Sequence, residues 1–389
     1  MNIKLVALLI QFLVSVAFNL MGSFLPLFIN SDLNYTLIEA TYWAGICQLV
    51  GSSFFAFTAP FWGSMCDRVG TKKIMMITLL GNTIVYAGMA VSTNVTQLIM
   101  FRALQGTLGG VSTAMFTLVA SIEDAEELKT ALSYQMAAMT MGSIFGPGLG
   151  SLLADLVGYR WTFAASALLF VSMVPGVLLF KTPPPAIENG SRFGVEDFRV
   201  ILPDAVSLVL IYIGISFITP VIPWFLESLG TPYDQLLFYT AVVATLNGLA
   251  FAVATPILTR VVTDKTLPSL PALAAGAILM TTFARDPFQF TVLRIAIAAI
   301  QAGVPPYLLG GKSARVGTAI GFLNSARFMG MAIGPFIAAY ILGDGTPPKP
   351  LYMFSTMAGL SLLASLVIYT THTRKGSQAK MSDAQGASA

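Results

Sequence analysis

The chain is short of charge, histidine and cysteine, and each shortage closes off a class of function. Charged residues are 10% of its 389 positions, against about 25% in a soluble globular domain. So few charges cannot cover a water-facing surface, and most of the solvent around this chain must be lipid. A net charge of +3 is no basic footprint for nucleic acid. The single histidine, His372, stands near the C-terminus, which leaves no His-based metal or catalytic site. Cys47 and Cys66 fall on one expected helix. A rise of ~1.5 Å per residue puts them ~28 Å apart, too far for a disulfide. The sequence also lacks a Gly-rich phosphate loop, a nucleophile–base pair and a metal cluster. Neither an enzyme nor a cofactor is expected, and no metal.

Hydrophobic residues, 56% of the chain, fill the space left by charge. They fall in long runs separated by short polar breaks, which predicts twelve helices. Their ranges are roughly 4–29, 37–64, 74–92, 96–120, 129–154, 160–181, 200–228, 235–261, 267–284, 287–309, 316–342 and 350–371, here helices 1 to 12. The first run follows Lys4 in the manner of a signal peptide, but it continues to about Phe28 without a small-residue cleavage pattern, so a retained span is expected. The longest interior polar stretch holds Pro183-Pro184-Pro185 and Asn189-Gly190. The expected organisation is an N-terminal bundle over 1–181, a linker over 182–199, a C-terminal bundle over 200–371 and a disordered tail over 372–389.

The basic residues orient this layout. Fifteen of the 21 fall on the side of the N-terminus, the even-to-odd turns and the tail; only Arg160, Arg285 and Lys349 fall on the other, and Arg102, Arg294 and Arg327 lie inside spans. Positive charge marks the cytoplasmic side, which predicts a multi-pass protein of the cell membrane with both termini in the cytoplasm.

The two halves repeat. Pro26 of helix 1 and Pro223 of helix 7 stand in similar apolar settings, as do Arg102 of helix 4 and Arg294 of helix 10. Gly142-x-x-x-Gly146-Pro147 of helix 5 returns as Gly330-x-x-x-Gly334-Pro335 of helix 11, and Pro60 leading to Asp67-Arg68 as Pro256 leading to Asp264-Lys265. All four pairs are six helices apart. The fold class expected is an all-α membrane protein of twelve transmembrane helices in two pseudo-symmetric six-helix bundles, a transporter architecture.

Three motifs in order carry a resemblance. Gly63, Asp67, Arg68, Gly70, Lys72 and Lys73 lie between helices 2 and 3; Arg102-Ala-Leu-Gln105-Gly106 lies in helix 4; Gly142-x-x-x-Gly146-Pro147-Gly148-Leu149-Gly150 lies in helix 5. On these the chain resembles the major facilitator superfamily, in particular its twelve-helix drug:proton antiporter branch. The resemblance implies alternating-access export of small amphipathic molecules in exchange for protons, by a monomer in the lipid bilayer. It departs from the pattern at Thr71, where a basic residue is common.

Candidate residues follow in three groups. The first is a conformational latch: Asp67 accepts from the N–H groups at the start of helix 11, and Arg68, Lys72 and Lys73 face the acids of the next turn on that side, Glu123, Asp124, Glu126 and Glu127. The second serves substrate or proton coupling: Arg102 and Gln105 in helix 4, Arg294 in helix 10, and Asn324 and Arg327 in helix 11. A charge inside a span must face a cavity or a partner, since lipid exposure costs ~2.5 kcal/mol or more. No acid stands in the middle of a span by this reading. Helix 1 offers Gln11 and Asn19 where relatives of the branch carry one, so Glu39 and Glu227, flanking the outer turns, are the expected proton carriers, and Asp155 is expected to pair with Arg160. The third group, Gly142, Gly146, Pro147, Gly150, Gly330, Gly334 and Pro335, would let helices 5 and 11 pack closely and bend as gates. Met136, Met139, Met329 and Met331 would add adaptable apolar surface. Three intramembrane arginines also suit a second reading, transport of an organic anion. A non-transporting receptor or scaffold fits less well, because its partner-binding loop is missing.

Overall fold

The computed structural model describes residues 3–22, 24–35, 37–122, 127–179, 195–310, 316–342 and 350–386. All twelve expected spans are helical. Five are interrupted. Helix 1 is Ile3–Asn19, a tight turn Leu20–Gly22 and Leu25–Ser31; helix 4 is Val95–Thr107 and Gly110–Ile122; helix 6 is Tyr159–Ser172 and Val174–Leu178. Helix 9 is Ser269–Met280 ending in the turn Thr281–Phe283, and helix 10 is Pro287–Gln301 and Val304–Leu309. Helices 2 (Leu37–Val69), 5 (Leu128–Val157), 8 (Tyr233–Val261) and 11 (Val316–Leu342) run unbroken through Pro60, Pro147, Pro256 and Pro335. Helix 3 is Thr71–Ala90, helix 7 is Val195–Ser228 and helix 12 is Pro350–Gly386. The helix of the final span is drawn on to Gly386, through a polar tail that contains no proline.

Contacts divide the chain into two compact units, Met1–Val195 with Lys312–Met329, and Glu196–Gly311 with Gly330–Ala389. The first half of helix 11 thus belongs with the first unit rather than with residues 200–371. Within the first unit helix 1 packs on helix 5, helix 2 on helix 4 and helix 3 on helix 6. Within the second, helix 8 packs on helix 10 and helix 9 on helix 12, while Gly330 and Gly334 of helix 11 lie against Val209 and Ile213 of helix 7. The pairing is the same six helices later.

The repeat reaches the helix caps. Asn94 accepts from the Gln97 N–H at 2.9 Å, and Gln97 Oε1 accepts from the Thr93 N–H at 2.9 Å. Asp286 and Gln289 do the same at the start of helix 10, at 2.8 Å and with the Arg285 N–H at 3.0 Å. Each box satisfies helix N–H groups that have no intrahelical acceptor.

Small residues make the tightest seams. A Cβ on Gly142 would sit 2.5 Å from the Phe12 carbonyl and one on Gly146 2.7 Å from the Asn19 side chain, while Gly150 lies against the Leu20 backbone. In the second unit a Cβ on Gly330 would lie 2.6 Å from the Val209 carbonyl. Lipid gives apolar helices no solvent-driven reason to associate, so close backbone approach is what holds such pairs. The motif therefore has a packing role that the structure shows directly. Gly142→Val should push helices 1 and 5 apart and destabilise the protein by about 1–3 kcal/mol, read as earlier thermal unfolding in detergent. Gly148→Ala, with nothing within 4 Å of its Cβ position, should leave the transition in place.

Candidate functional site

The turn between helices 2 and 3 ends helix 2 at Val69 and starts helix 3 at Thr71, with Gly70 between them at φ 96°. That angle is open to glycine and costly for other residues. Asp67, one turn before the end of helix 2, is buried. Its Oδ1 accepts from the Gly317 N–H at 2.8 Å, and its Oδ2 accepts from the Thr318 N–H at 2.7 Å and the Thr318 hydroxyl at 2.6 Å. A carboxylate at a helix N-terminus meets both unpaired N–H groups and the positive end of the helix dipole. The expected partner of Asp67 is the observed one, and Thr318 adds a donor that the sequence reading did not name.

Helix 11 then runs down helix 2 on a ridge of small residues four apart. Gly317 and Gly63 meet backbone to backbone, Gly321 lies against Ala59 and Pro60, and Ser325 donates to the Ala56 carbonyl at 2.6 Å. That carbonyl is the one Pro60 leaves unpaired, since proline has no N–H to give the residue four back. One turn on, Phe328 packs on Phe55 with the rings tilted by 41° and their centroids 4.2 Å apart.

Lys72 donates to the Leu178 carbonyl at 2.6 Å, at the end of helix 6; a cation there meets carbonyls with no intrahelical donor. Glu127 pairs with Lys4 at 3.4 Å, both exposed. Arg68 and Lys73 are exposed, and Glu123, Asp124 and Glu126 lie outside the described residues. Thr71 is buried, and a buried position explains why no basic residue stands there.

Arg102 is 5% exposed and enclosed by neutral acceptors. Nε donates to the Cys47 carbonyl at 3.2 Å, Nη1 to Gln105 Oε1 at 2.5 Å and Nη2 to Gln48 Oε1 at 2.5 Å, with Met21 Sδ 3.4 Å from Nη1. Gln105 donates onward to Tyr86 Oη at 2.7 Å, and Tyr86 to the Phe18 carbonyl at 3.3 Å. The guanidinium lies over Gly51, where a Cβ would be 3.4 Å from Cζ. In the register set by Pro60 and Pro256, Asn247 holds the place of Gly51, and Arg294 Nη2 donates to Asn247 Oδ1 at 3.2 Å. Arg294 is 4% exposed, and its Nε has no hydrogen-bond partner among the described residues.

Arg327 is 1% exposed, with its guanidinium 4.7 Å from the Phe328 ring centre and 5.8 Å from that of Phe116. Asn324, fully buried, donates to Thr113 Oγ1 at 3.4 Å, and its own Oδ1 finds no donor among the described residues. Gln11 of helix 1 repeats that state, donating to Ser112 Oγ at 3.4 Å with Oε1 unpartnered. Asn19 donates to the Ser15 carbonyl at 2.8 Å and packs on Gly146.

The acids need two corrections. Arg160 pairs with Asp32 at 3.1 Å, not with Asp155, and also donates to the carbonyls of Ala90 and Ser92 at 2.9 Å; this pins the starts and ends of helices 1, 3 and 6 on one face. Asp155, Glu39 and Glu227 are exposed. The buried acids among the described residues are Asp67 and Asp204. Asp204 lies inside the apolar stretch Asp197–Ile218 of helix 7. Asp204 is not among the candidates named from the sequence, whose apolar run begins this span at residue 200; helix 7 begins at Val195.

Twelve membrane helices, paired alike in two sets of six and carrying buried arginines, define a multi-pass transporter. A family model of the Major Facilitator Superfamily matches residues 7–284, and the chain belongs to that superfamily. It is 25% identical to the multidrug resistance protein MdtG of Proteus mirabilis, over 94% of this chain and 95% of that one. Its fold is similar to that of the human organic anion transporter MFSD10 (TETRAN), with a TM-score of 0.70 at 19% identity over 94% of this chain and 98% of that one. The proton:xylose symporter XylE gives a TM-score of 0.75 at 14% identity over 95% and 94%.

Asp67→Ala leaves the Gly317 and Thr318 N–H groups without their acceptor, at a cost of about 1–3 kcal/mol for each buried group. Hydrogen exchange at these two amides should accelerate at least tenfold on that scale. Arg68→Ala should leave it unchanged.

Proposed function

We propose that this transporter exports small amphipathic molecules across the cell membrane by alternating access, in exchange for protons, as a monomer with both termini in the cytoplasm. The observation that carries alternating access is the Asp67 cap. Three hydrogen bonds tie the end of helix 2 to the first turn of helix 11, whose later turns belong with the second six helices. Bonds to a carboxylate are strong while made, yet they are few and need no covalent or packing change to release, which suits a latch. Likeness to MdtG over nearly the full length supports efflux of drug-like molecules. The fifteen-to-three bias of basic residues supports the orientation.

Asp204 is the described acid best placed to carry the proton. It is buried within an apolar stretch of helix 7, whereas the expected carriers Glu39 and Glu227 are exposed. Purified protein in proteoliposomes, assayed with a substrate panel with and without a pH gradient, should transport several-fold faster when the substrate-receiving side is the acidic one. Asp204→Asn should lose that acceleration while downhill exchange persists. Indifference of the wild type to the gradient would exclude proton antiport.

A second reading, transport of an organic anion, is favoured by Arg294. Arg102 has an acceptor on every nitrogen. Among the described residues Arg294 has one acceptor and a buried Nε without a hydrogen bond, so it has a donor to offer a carboxylate or phosphate. On this reading Arg294→Ala abolishes binding of an organic anion and leaves the unfolding temperature near that of the wild type. Arg102→Ala, which empties a filled cage, lowers it. Transport of lipophilic cations that survives Arg294→Ala and Arg327→Ala would exclude the anion reading.

A further inference from the structure

An apolar concavity in the second unit lies among helices 8, 9 and 10. It holds about 420 Å³ and is walled by alanines at 250, 254 and 299 together with Val, Ile and Leu side chains. Two local features make it. Ala250 and Ala254 present little side chain on helix 8. Helix 10 breaks after Gln301, where Gly303 packs closely on Leu258, a Cβ there being 3.0 Å from the Leu258 Cβ. The wall contains no hydrogen-bonding side chain, and a site for a transported polar molecule needs a few such groups to orient it. Its outer lip, Val253, Ile257 and Leu273, is about 60% exposed, in spans whose surroundings are lipid.

The groove ends beside the turn between helices 8 and 9. Leu270 is in the first turn of helix 9, and Ile257 is one turn before Arg260 on the same face of helix 8. Arg260 and Lys265 are both exposed there. Asp264, the acid of that turn, accepts from the Tyr307 hydroxyl of helix 10 at 2.7 Å. An apolar channel open to lipid, ending at two cations at the level of the headgroups, matches the two halves of an anionic phospholipid. We propose that this groove holds one anionic phospholipid, an acyl chain along Ala250, Ala254 and Ala299 and the phosphate on Arg260 and Lys265. The chain packs on Ala299, in the last turn before the helix 10 break, so the lipid supports that break. The inference needs only that the protein spans a membrane and is independent of substrate and coupling ion.

Native mass spectrometry of the delipidated full-length protein, titrated with dioleoyl phosphatidylglycerol or dioleoyl phosphatidylcholine, tests it without a transport assay. The wild type should retain the anionic lipid several-fold better. Arg260→Gln with Lys265→Gln should reduce that retention to the phosphatidylcholine level, and Arg285→Gln, on the opposite membrane face, should leave it intact. Ala254→Phe and, separately, Ala250→Leu should lower retention of both lipids, with unfolding in detergent near that of the wild type confirming an intact fold. Equal retention of the two lipids by the wild type overturns the proposal, as does a preference that survives loss of both cations. Full lipid occupancy in the groove-filling variants, or complete displacement of the anionic lipid by inorganic phosphate alone, overturns it too.

Discussion

A backbone carbonyl freed inside a membrane has no water to turn to, and the observed structure depends on how each one is answered. Helix 4 breaks at Leu108-Gly109, and side chains of two neighbours satisfy what the break releases. Trp62 Nε1 donates to the Thr107 carbonyl at 2.6 Å, Thr58 to the Gly106 carbonyl at 3.2 Å and Asn82 to the Leu108 carbonyl at 2.9 Å. Pro60 releases the Ala56 carbonyl and Ser325 takes it. These residues read as scattered polar positions in apolar helices. Their common property is that each sits opposite a helix irregularity on another element. The same constraint fixes helix partners, because a helix whose carbonyl is satisfied from a neighbour cannot slide along that neighbour without losing the bond.

The two repeated arginines show how far a duplicated scaffold can diverge at one position. Gly51 leaves space beneath Arg102, and the guanidinium fills it with three oxygen acceptors around it. Asn247 occupies the corresponding place in the second unit and offers Arg294 a single amide oxygen. A buried cation answered by neutral oxygens keeps its charge without a carboxylate nearby. It is therefore a fixed source of positive potential rather than half of an ion pair that titrates.

The span layout was legible because hydrophobic run length is a one-dimensional property, and the repeat because proline, glycine and arginine recur in register. Asp67 as the cap of helix 11 was legible through the motif. The rest failed where an answer depended on which surfaces meet. Arg160 has Asp155 close in sequence and Asp32 close in space. The break at Gly109 has no proline beside it and the one at Gly303 is followed by Pro305 and Pro306, while the four prolines inside helices 2, 5, 8 and 11 broke nothing.

Helix 11 joins these strands of the argument. Its first turn is held by Asp67, its next two turns lie on helix 2 through Gly317, Gly321 and Ser325, and from Gly330 onward its small residues face helix 7. Arg327 lies between the two seams, stacked on Phe328. Each seam is built from backbone approach and from hydrogen bonds to carbonyls, and the Phe55–Phe328 ring contact closes the one on helix 2. Three hydrogen bonds to the Asp67 carboxylate hold the first turn of helix 11 against the end of helix 2, so the loop motif that looked like a marker of the membrane face is also where that helix is anchored.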